Sequence, residues 1–190
     1  MLGIESAWSF QPPVRTPLPN LDVRQDQNQF SVPVPAAKAA AAARLRQAVG
    51  GARIDFDKIS GGPKWVASPD RFLSGPDGKG IAPGSLAAVG FQDPHYLTKA
   101  FIHENKELFG HGPEPLGTAL IRRDYITPHN GLRTVVWEQR LDGISVFEAV
   151  LISHTTRKGE LVGIGSTFLA DLEGAAKAGT PNRNRSIASS

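Results

Sequence analysis

Residues 132–164 read LRTVVWEQRLDGISVFEAVLISHTTRKGELVGI, and the fold depends on how this run divides into strands. Asp142-Gly143 is the divider. A two-residue hairpin turn needs positive φ at both positions, and Asp-Gly is one of the few pairs that tolerate it. On either side, Leu132–Leu141 and Ile144–Thr155 are rich in β-formers. Arg157-Lys158-Gly159-Glu160 reverses the chain again, and Leu161–Leu169 returns. Upstream, Thr118–Ile126 is strand-like and Pro128-His129-Asn130-Gly131 is a turn. Residues 117–169 therefore read as an antiparallel meander of four strands. Alternation puts Thr134 and Val136 on one face and Val135, Trp137 and Gln139 on the other. In the next strand Ile144, Val146, Glu148, Val150 and Ile152 oppose Phe147, Ala149 and Leu151, and the face carrying Val146, Val150 and Ile152 is expected to cover a helix.

That helix lies just upstream. Asp93-Pro94 is a helix start, a capping carboxylate followed by a first-turn proline. The helix is expected to run to Phe109, with Leu97, Phe101 and Leu108 buried and Gly110 as its left-handed stop. Helix and meander together predict an α+β fold, an antiparallel β-meander packed on one main helix. A small hairpin precedes them, Arg53–Phe56 returning through Lys64-Trp65-Val66 by way of Gly61-Gly62. A helix over 36–49 comes earlier still, closed by Gly50-Gly51; its thin apolar face implies support from packing. The Gly- and Pro-rich run 68–92 reads as a connecting loop. Residues 1–35 read as a disordered proline-rich leader, 36–170 as the folded domain, and 171–190 as a disordered tail.

Composition removes several classes of function. Among 190 residues there is no cysteine, which excludes disulfides, thiolate metal sites and cysteine nucleophiles. Net charge is +3 without a long Lys/Arg block, so neither nucleic acid nor an acidic surface is called for. No run approaches the roughly 18 apolar residues that span a bilayer, so no membrane partner is expected. Met1–Glu5 shows no basic region leading into an apolar run, so no signal peptide is visible in this chain.

The one stretch that resembles a metal site is His103–Gly112, HENKELFGHG. A zincin motif needs two histidines at i and i+4 on one helical face, with a glutamate as base between them. Here the i+4 position is Glu107, no third ligand is nominated, and the helix ends at Gly110. An exposed helix face with Glu104, Lys106 and Glu107 in water explains the stretch better. His95, His111, His129 and His154 are scattered. Gly163-Ile164-Gly165-Ser166 lacks the glycine–x–serine–x–glycine order of a nucleophile elbow, and Gly61-Gly62-Pro63-Lys64 is not a phosphate loop. Arg122, Arg123, Arg133, Arg140 and Arg157 with Tyr125 and Trp137 offer a weak case for a single-strand nucleic-acid face; scattered strand arginines more often keep an outer face wet. The reading is of a non-enzyme with no cofactor and no metal site.

Order and spacing across residues 44–168 resemble the fungalysin/thermolysin propeptide (FTP) domain, found N-terminal to secreted zinc metalloproteases. The matching residues are Asn105, Leu108, Phe109 and Gly110 at the helix end; Gln139, Asp142, Gly143, Ile144, Val146 and Phe147 around the turn; then Val150, His154, Gly159, Leu161 and Val162. Three positions depart from the pattern. Ser145 stands for the usual proline, Glu148 for the usual glycine, and Arg157-Lys158 for an acidic residue. The resemblance implies an intramolecular chaperone and inhibitor of a thermolysin-like or fungalysin-like metalloprotease domain, which is expected to lie outside this chain. It also implies secretion, or export to the periplasm, as part of a precursor. The docking residues it leads us to expect are Asp142, Gly143, Ile144, Val146 and Phe147, although Phe147 reads equally well as core. The alternative is a non-enzymatic protein-interaction module with an unrelated partner.

Overall fold

The structure, a computed structural model, describes residues 33–178. The remainder of the expected leader and tail lies outside the described residues. The described residues form six helices and one six-stranded antiparallel sheet. The strands are β1 (Arg53–Phe56), β2 (Pro63–Ala67), β3 (Leu120–Ile126), β4 (Arg133–Leu141), β5 (Ile144–Thr155) and β6 (Leu161–Ser166), in spatial order β1-β2-β6-β5-β4-β3. The meander is as expected. The upstream hairpin is not a separate unit, because β2 pairs with β6 and extends the same sheet.

The helices are α1 (Ala36–Ala48), α2 (Pro83–Val89), α3 (Tyr96–Glu104), α4 (Lys106–Phe109), α5 (Pro115–Thr118) and α6 (Leu172–Ala178). Of these, only α1 and the span of α3–α4 were expected from the sequence, and α5 is a single turn. The run 68–92 holds α2, which starts on Pro83 at its first turn, a position where the missing N–H is harmless. The single helix expected to end at Phe109 is two, α3 and α4, parted at Asn105 (φ −107°, ψ 28°). The Phe101 carbonyl accepts from both the Asn105 backbone N–H at 3.0 Å and the Asn105 side-chain amide at 2.9 Å, which closes the end of α3. Leu172–Ala178, in the expected tail, form α6, none of whose side chains is buried. Gly110 is left-handed at φ 82°, as its sequence position suggested.

One face of the sheet meets the helices. Val66, Val135, Trp137, Leu151, Leu161 and Ile164 from the strands close over Leu97, Ala100, Phe101, Ile102, Leu108 and Phe109 from α3 and α4. Leu45 of α1 joins the same core, which supplies the packing its weak apolar face requires. The face assignment from sequence is corrected here. The helix side of β4 and β5 carries Val135, Trp137, Gln139, Ala149, Leu151 and Ser153, all buried. Ser153 accepts a 3.0 Å hydrogen bond from the Thr98 hydroxyl of α3, which fixes the side. Both faces of these strands carry aliphatic residues, so alternation alone could not choose between them.

Candidate functional site

The β4–β5 turn has the geometry its sequence requires, with φ 50° at Asp142 and 79° at Gly143. Beyond it the ladder is irregular. Glu138 faces Val150 while Arg140 faces Ser145, so the single residue Gln139 stands opposite Val146, Phe147, Glu148 and Ala149. This is an extended β-bulge. Its centre is Glu148, at φ 55°. A left-handed backbone strains any side chain with a Cβ, which gives a physical reason for the glycine that the resembling family uses there.

The bulge divides the hairpin in two. Toward the core, Ala149 and Leu151 resume regular burial. Toward the turn, Phe147 is 88% exposed and Ile144 73% exposed, the two barest large apolar side chains of this hairpin. Of the two readings of Phe147, core or surface, the structure has the surface one. Val146 is half-buried, and Asp142 and Gly143 are exposed. All five expected docking residues thus fall on one short projection.

The projection is anchored at its base. The Gln139 side chain is buried and acts as a backbone surrogate. Its amide donates to the Leu169 carbonyl at 2.9 Å and its oxygen accepts from the Leu169 N–H at 2.9 Å. The Ser145 hydroxyl donates to Glu138, which also pairs with Arg122 at 3.3 Å. Sequence reading singled out Gln139 only as part of a pattern; its partner Leu169 lies thirty residues on, and no local signal links them.

The other candidates come apart. His103 lies on α3 and Glu107 on α4, and the break at Asn105 removes the i, i+4 geometry a metal pair needs. Glu107 is paired instead with Arg44. Among the described residues no three His, Asp or Glu side chains cluster in a way that would hold a metal. The arginine face dissolves as well. Arg122 pairs with Glu138, Arg133 pairs with Asp124 at 2.6 Å and donates to the Pro94 carbonyl on the helix side, and Trp137 is fully buried, so no base can stack on it. Gly163 and Gly165 owe their identity to Trp65 and Lys64. A Cβ at Gly163 would lie 2.8 Å from the Trp65 ring, and one at Gly165 would lie 2.3 Å from the Lys64 carbonyl.

Three histidines sit against aromatic rings. His95 meets Trp137 at 5.2 Å between centroids, His154 meets Trp65 at 5.6 Å, and His111 lies between Phe109 at 6.1 Å and Phe168 at 6.0 Å. Burial holds all three imidazoles below their ordinary pKa. At His95 the Arg133 guanidinium adds to this, against Asp124 and Asp93. At His111, Nδ1 is 2.7 Å from the Gly112 carbonyl. A carbonyl only accepts, so Nδ1 carries the proton and Nε2 is the bare nitrogen. That Nε2 is buried and has no partner. Burial thus disfavours the charged form of all three, and each packs its ring against an aromatic neighbour.

A family comparison matches the same region. Residues 119–168 match the Fungalysin/Thermolysin Propeptide Motif. The match spans β3 to β6 and ends on Phe168, the ring beside His111. It contains the turn, the bulge and Gln139, while Asn105–Gly110 at the end of α4 lie outside it. The FTP motif belongs to propeptides of secreted zinc metalloproteases and is not a catalytic element. No curated protein and no solved structure matches the chain. No helix among the described residues is long and apolar enough to cross a membrane.

Proposed function

We propose that this chain acts as the folding chaperone and inhibitor of a secreted thermolysin-like or fungalysin-like zinc metalloprotease, docking through the β4–β5 projection. The observation that carries the reading is the exposure of Phe147 and Ile144 on an anchored turn inside the matched propeptide motif. Asp142 and Gly143 shape the turn, Ile144 and Phe147 enter the partner, and Val146 supports them from the half-buried side. Exposed aromatic anchors surrounded by polar neighbours are the usual energetic centre of an interface. A standard interface buries about 800 Å² per partner, so the adjoining sheet surface takes part as well. Secretion or export as part of a precursor follows from the same reading.

The test adds the full chain to refolding and to native thermolysin-like and fungalysin-like proteases. Saturable inhibition and a higher yield of active enzyme are expected. Burying a phenylalanine is worth about 1.5–3 kcal/mol, so Phe147→Ala weakens inhibition about tenfold or more. Absence of both effects, or inhibition indifferent to Phe147→Ala and Ile144→Ala, overturns the proposal.

A further inference from the structure

A cleft of about 460 Å³ lies where the β5–β6 turn meets the start of α3, the length of β5 away from the β4–β5 turn. Arg133, Arg157 and Lys158 line it, and among the described residues no carboxylate does. Arg133 is a fixed wall, because its donors already go to Asp124 and to the Pro94 carbonyl. Arg157 and Lys158 are exposed and make no ion pair among the described residues. The Arg157 side chain lies across Gly131, where a Cβ would collide with it, so it rests on the β3–β4 turn. The acids nearby are engaged: Asp124 by Arg133, Asp93 by Lys99, and Glu160 by the Thr156 hydroxyl. The cleft also has a donor at its floor. The buried hydroxyls of Thr98 and Ser153 share one hydrogen bond of 3.0 Å, so one of their two hydrogens has no acceptor among the described residues. A buried O–H left without an acceptor is costly, which calls for a group that enters and accepts.

We infer that this cleft receives an acidic side chain, an Asp or Glu on a segment of the protein partner. Arg157 and Lys158 meet the carboxylate at the rim, and the free floor hydrogen is donated to it. The methylene stem of the entering residue rests on Leu97 and Ile126. One floor donor between apolar walls suits a carboxylate on such a stem; it cannot replace the water around a phosphate. The charge is particular to this chain, since Arg157-Lys158 stands where the resembling family has an acidic residue. The cleft therefore selects a partner with an acid at this contact, separately from the Phe147 projection. The inference rests on the propeptide reading for the partner's identity, but its chemistry does not.

The test follows the Gly131 and Gly159 amide signals, beside the cleft, in the full chain by nitrogen-15 NMR. The probe is acetyl-Ala-Glu-Ala-amide, whose ends are blocked so that only the side chain is charged. Acetyl-Ala-Gln-Ala-amide and inorganic phosphate serve as comparators. A saturable shift with the Glu peptide is expected, weaker by about fivefold or more with the Gln peptide and with phosphate. It should be lost in Arg157→Gln/Lys158→Gln, whose exposed sites leave the fold intact, and weakened in Thr98→Val/Ser153→Ala. Equal response to the Gln peptide, tighter binding of phosphate, indifference to either double variant, or no saturable shift overturns it. Because this titration contains no protease, its failure is separate from any failure to inhibit one.

Discussion

The β4–β5 ladder has two ends built from similar residues and buried to opposite degrees. At the far end Trp137 and Leu151 are opposite one another and wholly buried beneath the helices. At the turn end Ile144 and Phe147 are opposite nothing that covers them. Hydrophobicity does not separate the two ends. The bulge at Glu148 does, because it takes Phe147 out of the alternation before the strand reaches the core. An apolar side chain thus contributes to stability at one end and is available for recognition at the other.

The widest gap between the ends is expected in stability. Trp137→Ala removes a fully buried indole and destabilises by about 3–5 kcal/mol, a large part of a typical domain's stability. Phe147→Ala, at an exposed site, changes stability by less than about 0.5 kcal/mol. Urea unfolding of both variants measures the difference; comparable losses would mean that Phe147 belongs to the core.

Acid is expected to act on the core end alone. The folded imidazoles of His95, His111 and His154 bind a proton less readily than their unfolded counterparts. Their contribution is fully present above the unfolded pKa, about 6.5, and is lost as pH falls below it toward the depressed folded values. The unfolding midpoint should therefore drop between neutral and mildly acidic pH. In His111→Leu, which removes the unpartnered Nε2, the slope should be shallower. An unchanged slope would mean that His111 is already free to take a proton in the fold.

A single substitution at the bulge sharpens the boundary between the ends. Glu148→Gly relieves the left-handed strain and stabilises by about 1 kcal/mol, somewhat reduced by glycine's greater freedom in the unfolded chain. Thermal unfolding reads this directly. A loss of stability would show that the Glu148 side chain contributes more than its backbone conformation costs.

Much of this arrangement was written locally. Asp142-Gly143 specified the turn, Gly110 the helix stop, and the β-rich runs the meander, because each depends on the φ/ψ preferences of a few neighbouring residues. The docking residues were named from a resemblance, yet their exposure was open, since a strand phenylalanine reads equally as core. The helix break at Asn105, the helix within 68–92 and the joining of β2 to β6 were missed. The first has no glycine or proline to mark it, the second sits among glycines and prolines that signal loop, and the third is a pairing across about a hundred residues.

By itself, the order of residues determined the four meander strands, their turns and the absence of thiol chemistry, all of which follow from short-range sterics and residue type. Only the tertiary structure decided which face of the sheet meets the helices, and that the bulge leaves Phe147 bare. Those outcomes depend on partners distant in sequence, and an alternating strand with aliphatic residues on both sides has no local term that prefers one face.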